Sequence, residues 1–221
     1  MAYAKISGFS DEIASDIKTQ FEVLNKLGIK YFEPRGVDGK NISELNDDEV
    51  KALKEKMEKY GIKVSSIGSH FGKVKLTDDL DAHFEMFKRV VETAKMLDAK
   101  YIRIFSFYHD GEEWTDAERE LVLSELKKLI AYAKENDVVL LHENEKDIYG
   151  DIAPRCLDLM KELAKDGMTM VIVTHEMGFA REVADKVIFI DEGVIKECGT
   201  PTEVFDHPKN PRLQEFLSKV L

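Results

Sequence analysis

The chain has 221 residues, enough for one large α/β domain or two small ones with a substantial core. Its formal net charge is −11 and its sequence pI is about 5.1, which argues against nucleic-acid binding because that function needs clustered lysine and arginine. No apolar run approaches the roughly 18 residues of a membrane span, and no secretory signal stands at the N-terminus. The two cysteines, Cys156 and Cys198, lack the spacing of a metal site and indicate a reducing compartment or an incidental pair. Together these properties predict a cytosolic protein without nucleic-acid or membrane partners.

A unit of one helix and one strand recurs along the chain. Five segments each combine a helix end, a turn residue and a strand, and their turn residues are Gly28, Gly61, Asp98, Asn136 and Gly167. Glycine adopts the left-handed conformation that ends a helix, and asparagine and aspartate are the next best choices. This periodicity predicts successive βα units of an α/β protein.

The predicted helices and strands have the patterns expected of such units. Apolar residues recur at helical spacing in the first two helices: Ile13, Ile17, Phe21, Leu24 and Leu27, then Val50, Leu53 and Met57. Short apolar segments predict strands at 4–10, 31–34, 64–68, 101–105 and 138–143. Their composition is typical of a parallel sheet covered by helices. We therefore expect about five βα units up to Glu145.

The first part of the chain resembles the xylose-isomerase-like sugar isomerase and epimerase family, whose members are (β/α)8 barrels. Five segments, one for each predicted strand, carry the resemblance: "KISGFSDEI", "GIKYFEPRG", "GIKVSSIGSHFG", "DAKYIRIFSFY" and "LLHENEKDIYGD". The resemblance implies a divalent metal such as Mn, Mg or Co at the carboxyl ends of the strands, held by two Glu, an Asp and a His. The metal would polarise a carbonyl and stabilise an enediolate.

The resemblance assigns one metal-ligand candidate. Glu143, at the end of the fifth strand, matches the first glutamate ligand, and Glu145 takes its place if the strand ends two residues later. The alternative is that Glu143 is a solvated residue at the start of a loop. After Glu145 the family pattern stops, and the units that would supply the Asp, the His and the second Glu are absent from the sequence.

Three further residues would line the sugar pocket by the same resemblance. They are His70, after the third strand, and Glu33 and Arg35, after the second. His70 could equally be a loop histidine with satisfied hydrogen bonds. Arg35 could instead form a surface ion pair with Glu33 or Asp38.

The last part of the chain, from about residue 157 to 221, resembles the C-terminal end of the ATPase subunit of polar amino acid ABC importers. The segment "MVIVTHEMGFAREVADKVIFIDEG" contains His175, which matches the switch histidine that contacts the γ-phosphate of ATP in that family. "DEGVIKECGTP" matches the terminal hairpin, and "HPKNPRLQEFL" matches the last helix.

The sequence lacks the other parts of that ATPase site. It contains no G-x-x-x-x-G-K-[ST] phosphate loop, no LSGGQ-type signature and no apolar strand that ends in Asp-Glu. His175 is therefore expected to be a polar residue at a strand end, with no nucleotide to contact.

The two parts are predicted to form one composite α/β domain over residues 1–221. Residues 1–160 would be a (βα)5 fragment of a TIM barrel. Residues 161–221 would be a C-terminal fragment of a P-loop NTPase of the ABC ATPase type, with a terminal antiparallel hairpin. The strand at 171–174 would lie parallel to the fifth strand, and the join would fall inside one helix from Pro154 to Ala164. Natural fusions usually keep whole domains and flexible linkers, so this join indicates a designed chimera.

The predicted function is that of a designed fold chimera without natural catalytic activity. Glu143, His70 and His175 would be remnants of the parental sites, and no cofactor is expected. The alternative is a divalent-metal-dependent sugar isomerase or epimerase that retains part of its site, with a metal weakly bound at Glu143. If the sheet does not close, its open edge predicts a homodimer.

Overall fold

The computed structural model describes residues 5–164 and 177–220. The chain divides into two compact units, of which the first is Ile6–Cys156 and the second begins at Leu157. The proposal that both belong to one composite domain stays a prediction.

Among the described residues, five helices start in the first unit and two more lie wholly in the second. Their bounds are α1 Ile17–Lys26, α2 Asp47–Tyr60, α3 Leu80–Met96, α4 Asp116–Glu135, α5 Ala153–Ala164, α6 Met177–Val183 and α7 Pro211–Val220. Side-chain caps start the first four, since Asp16, Asn46, Asp79 and Thr115 each accept a hydrogen bond from a backbone N–H of the first turn. No helix in the described part of the chain is long and apolar enough to cross a membrane.

The described strands are short. Their bounds are β1 Tyr31–Phe32, β2 Gly36–Val37, β3 Lys40–Asn41, β4 Lys63–Val64, β5 Ile67–Phe71, β6 Tyr101–Ile104, β7 Val139–His142, β8 Val187–Asp191 and β9 Val194–Gly199. In the first unit β1 pairs with β4 in parallel, and β5, β6 and β7 form a parallel sheet in that order. This sequential parallel order is the arrangement of a TIM-barrel wall.

The third barrel position is divided into β4 and β5. Strand β4 pairs with β1, where Phe32 lies opposite Val64, and β5 pairs with β6. The break falls at Ser65 and Ser66, although Gly68 still donates a backbone hydrogen bond to the carbonyl of Pro34 at 2.9 Å. The predicted single strand over 64–68 is therefore two strands that together continue the wall.

The segment predicted as the opening strand forms no regular ladder over the described residues 5–9. One backbone hydrogen bond, from Glu33 N to Gly8 O at 3.0 Å, places it beside the residues that follow β1. A 3₁₀ turn over Ser10–Glu12 then ends the extended segment.

The helical stripes were predicted correctly for α2 and only in part for α1. Val50, Leu53 and Met57 are all buried. In α1, however, Ile13 precedes the helix, which starts after its cap Asp16, and Leu27 follows it; their side chains are 42% and 65% exposed. The spacing of apolar residues placed both in the buried face of the helix, because periodicity alone does not reveal at which residues a helix starts and ends.

Left-handed residues end the helices at three of the five predicted positions. Gly28, Gly61 and Asp98 have φ values of 74°, 64° and 55°. The prediction of Asn136 is wrong by one residue, since Asp137 has the left-handed φ of 57° and Asn136 remains at −97°. The fifth position, Gly167, lies outside the described residues.

The core of the first unit is rich in phenylalanine. Its fully buried rings belong to Phe21, Phe32, Phe71, Phe87, Phe105 and Phe107. A buried histidine, His83, stacks on Phe71 with ring centroids 3.9 Å apart and accepts a hydrogen bond from Gly72 N. Burial lowers the pKa of His83 to about 4, so the ring is neutral and can act as this acceptor near neutral pH.

The second unit contains an antiparallel hairpin and a short helical segment. Strands β8 and β9 pair antiparallel, and the turn residues Glu192 and Gly193 are both left-handed, with φ values of 51° and 71°. This is the conformation of a tight hairpin turn. A small core, Val204, Phe205, Leu213 and Leu217, packs with Met177, Ala180, Val187, Phe189 and Phe216.

Candidate functional site

Glu143 follows β7 directly and forms an ion pair with Arg103. Its backbone N–H donates to Ile104 O at 3.0 Å, which continues the parallel ladder one residue past β7. Its carboxylate accepts from Arg103 Nη1 at 2.9 Å, and its side chain is 44% exposed. The residue matched to a metal ligand is therefore bound to a cationic side chain of the neighbouring strand.

Arg103 itself is held firmly and is only 12% exposed. Its Nε donates to Ser69 O at 3.3 Å and its Nη2 donates to Gly68 O at 3.2 Å, so β5 anchors the guanidinium. The same group lies 4.7 Å from the ring centroid of Phe9 and 5.2 Å from that of Phe105. Aromatic faces and carbonyl oxygens both stabilise a guanidinium, so this charge is fixed in place.

Glu33, after β1, completes a cluster of three charges. Its carboxylate lies 3.9 Å from Arg103 Nε, and its side chain is largely buried. Burial raises the pKa of Glu33 and the nearby Glu143 adds to this, while Arg103 and Arg35 act in the opposite direction. A carboxyl group with a raised pKa can exchange a proton more readily near neutral pH, as general acid–base catalysis requires.

Arg35 forms an ion pair, but with neither of its predicted partners. Its Nε donates to Asp11 Oδ2 at 2.8 Å and its Nη2 lies 3.4 Å from Glu12 Oε1. Asp38 instead binds Lys56 and accepts from Ile17 N, at the start of α1. The prediction failed because Asp11 and Glu12 are distant in sequence and come near Arg35 through the fold.

His70 lies within β5 and contacts the turn that precedes α2. Its Nδ1 is 3.3 Å from Ser43 Oγ. Burial lowers the pKa of His70, and Glu44 opposes this effect. The positive charges of Lys73 and Arg103 also lower this pKa, but among the described residues no hydrogen bond joins the imidazole to Glu33, Arg103 or Glu143.

Glu145, the second choice for the metal ligand, also binds a cation. Lys73 Nζ lies 2.6 Å from one carboxylate oxygen of Glu145 and 4.3 Å from the ring centroid of Phe105. Both glutamates that follow β7 therefore pair with cationic side chains, Glu143 with Arg103 of β6 and Glu145 with Lys73 of the loop after β5.

The described residues do not fit the metal site that the barrel resemblance implies. Within residues 5–164 and 177–220, no three His, Cys, Asp or Glu side chains come together as metal ligands. His175 lies outside the described residues, and so does the predicted strand at 171–174.

Sequence reasoning missed Arg103, which organises this cluster. A signal was present, because Arg103 is the one charged residue in the strand Tyr101–Ile104. An ionisable side chain in an otherwise apolar barrel strand indicates a polar partner near the end of that strand.

Comparison with known proteins identifies the larger part of the chain. A profile of the xylose isomerase-like TIM barrel family matches residues 21–192. The chain belongs to this family. The match runs past the predicted join near residue 160, so the family pattern does not end sharply there.

Solved structures agree on the barrel fold. A xylose isomerase-like TIM barrel protein from Mycobacterium smegmatis, in complex with magnesium, is 12% identical with a TM-score of 0.62, over 99% of this chain and 87% of that one. The IOLI protein with a bound zinc atom is 17% identical with a TM-score of 0.63, over 81% and 68%. At such low identity the likeness concerns the fold alone.

A second comparison, with curated proteins, finds that part of the chain is similar to the ATP-binding proteins of amino acid transporters. The arginine transport ATP-binding protein ArtM of Bacillus subtilis is 50% identical over 91 residues, which are 41% of this chain and 38% of ArtM. The glutamine transport ATP-binding protein GlnQ of the same organism is 49% identical over 89 residues, or 40% and 37%. The chain thus spans well under half the length of these relatives. Both matches are longer than the stretch from Leu157 to Leu221.

Proposed function

We propose that this chain is a designed fold chimera and catalyses neither parental reaction. It would join (βα)5 of a xylose isomerase-like barrel to the C-terminal piece of an importer ATPase. The ion pair between Glu143 and Arg103, at 2.9 Å, carries this proposal. A carboxylate that neutralises a fixed guanidinium is poorly placed to bind a metal as well, because the guanidinium repels the incoming cation.

The ATPase part supports the same proposal. ATP binding in that family depends on a phosphate loop that supplies backbone N–H donors and a lysine, and the sequence contains no such motif. His175 would have no γ-phosphate to contact. Loss of most members of a catalytic set reduces the rate far more than loss of one member.

A second candidate is the metal-dependent sugar isomerase or epimerase. One observation favours it: Glu33, with its raised pKa, lies near Glu143 across Arg103 at the barrel end where this fold places active sites. Two carboxyl groups in such an arrangement could move a proton between adjacent sugar carbons. The set of metal ligands would then have to be completed by residues outside the described ranges.

The deciding experiment combines metal binding with turnover. Purified protein is titrated with Mn²⁺ by calorimetry and incubated with Mn²⁺ or Co²⁺ and a panel of ketoses and aldoses; ATP hydrolysis is measured separately with Mg²⁺. We expect no saturable Mn²⁺ binding and no turnover above the Glu143→Ala variant. Glu58→Ala, an exposed residue of α2, is the matched control for the loss of one carboxylate.

Two results would overturn the inactive chimera. Sugar turnover or Mn²⁺ binding that is lost in Glu143→Ala and kept in Glu58→Ala would establish the isomerase candidate. ATP hydrolysis that is abolished by His175→Ala would show instead that the ATPase part retains its chemistry.

A further inference from the structure

A cavity of about 730 Å³ lies within the first unit, and Glu33, Arg103 and Glu143 are not among its lining residues. One wall is the loop that follows β6 together with the start of α4, over residues 108–119. The other wall comes from residues 147–155, which follow β7. The cavity is large enough for a small organic molecule, and the proposed function does not use it.

Aromatic rings line part of this cavity. His109 stacks on Trp114 with ring centroids 4.1 Å apart, and Tyr149 meets Trp114 edge-on at 5.0 Å. The guanidinium of Arg155 lies 5.9 Å from the Trp114 centroid and 6.0 Å from that of Tyr149. The rings therefore already accept one cation of the chain at the margin of cation–π range.

The charges that line the cavity are unbalanced. Five carboxylates face two guanidiniums, and the carboxylates belong to Glu112, Glu113, Asp116, Asp147 and Asp151. Arg155 is bound by Asp151 and by Tyr149 O, and Arg119 binds Glu120, which lies outside the lining. In the part of the chain that the structure describes, Glu112 and Glu113 form no ion pair and no side-chain hydrogen bond.

An orphaned polar atom also lies in the wall. His109 Nδ1 is buried and has no hydrogen-bond partner among the described residues. The nearest carboxylate oxygen, on Glu118, is 3.7 Å away, which is beyond hydrogen-bonding distance. A buried polar group without a partner is costly, and a bound ligand can supply the missing contact.

We propose that this cavity binds a small organic cation with two or more ammonium groups, of the linear polyamine class. The ammonium groups would pair with Glu112 and Glu113, and the methylene chain would lie on the exposed part of Trp114. The excess of carboxylates repels anionic ligands. A neutral polyol would leave the carboxylates uncompensated, so a cation fits the charge of the cavity better.

The test uses the single tryptophan of the chain, because Trp114 lies in the cavity and reports binding by its fluorescence. Spermidine is titrated at constant ionic strength, with glucose and NaCl titrated in parallel. We expect a saturable change with spermidine alone. The double variant Glu112→Gln/Glu113→Gln should weaken spermidine binding about tenfold, since two charge pairs are lost.

The matched control removes two carboxylates elsewhere. Glu55 and Glu58 are exposed residues of α2, so Glu55→Gln/Glu58→Gln changes the net charge equally and should leave spermidine binding unchanged. Circular dichroism verifies that both variants fold, and the single variants Glu112→Gln and Glu113→Gln serve if the double variant does not. A saturable response to glucose alone, an equal response to NaCl, or equal weakening in the control would each overturn the proposal.

Discussion

At the scale of single residues, close backbone approach fixes the geometry at the carboxyl ends of the strands. Gly72 follows β5 with φ at +85°, and a Cβ built there would lie 2.1 Å from Phe105 O. Phe107 N donates to Gly72 O at 2.9 Å, and Gly72 N donates to His83. The loop after β6 is thus tied to β5 at a point where no side chain fits.

Gly72→Ala should therefore cost roughly 4 kcal/mol or more of the free energy of unfolding, because the Phe105 backbone must move. Gly28→Ala is the matched control, since Gly28 also has a left-handed φ of +74° but nothing lies within 4 Å of its added Cβ. The control should lose only about 1–2 kcal/mol, the usual cost of a left-handed alanine. Urea unfolding measures both, and equal losses would mean that the close contact at Gly72 is relieved without strain.

At the scale of elements, α5 is the helix in which we propose that the two parental sequences join. It runs without interruption over Ala153–Ala164, and Leu159 and Leu163 are both buried. Pro154 stands in the first turn, where no N–H donor is required, so it does not interrupt the helix. A continuous apolar stripe would allow one helix to serve sequences of two origins.

Leu159→Ala and Leu163→Ala should each lower the free energy of unfolding by about 2–5 kcal/mol, the usual cost of a large-to-small core substitution. Ile152→Ala, at a side chain 47% exposed just before α5, is the control and should change stability little. Urea unfolding is followed by Trp114 fluorescence and by circular dichroism. Coincident curves are expected for one composite domain, whereas two separate transitions, or losses below roughly 0.5 kcal/mol at both leucines, would contradict a tightly packed join.

The elements were easier to predict from the sequence than the candidate site. Periodicity predicted the buried stripe of α2 and placed the strand β7 to within one residue at each end, because burial imposes a local pattern. The partners of Arg35 and Glu143 were not predictable in this way. Each pair joins residues 24 to 40 positions apart in sequence, and only the fold brings them together.

At the scale of the whole molecule, the parallel wall of the first unit ends at β7. In the described part of the chain β7 pairs with β6 alone, and Val139 at its start is 38% exposed. An edge strand with unpaired backbone groups is a template for pairing with another chain. The predicted cover, the strand at 171–174, lies outside the described residues.

We propose that an uncovered β7 edge makes the protein a homodimer, with a mass about twice the 25.3 kDa of one chain by light scattering. Val139→Lys should shift the population toward monomer, because a charged side chain on an edge strand opposes strand pairing. Leu121→Lys is the control, since Leu121 is similarly exposed, at 37%, and belongs to α4 and not to the edge strand. A monomeric parent protein would contradict the proposal, and so would equal effects of both substitutions.

The proposed join inside the uninterrupted helix α5 would also bear on how new α/β proteins can arise by recombination. A crossover inside a loop changes a turn whose φ and ψ values suit only certain residues. A crossover inside a helix has to preserve only the phase of the apolar stripe, which many unrelated helices share. Exchange within such helices would let gene fragments from different families recombine with few products that fail to fold. The βα unit, divided within its helix, would then be a unit of recombination.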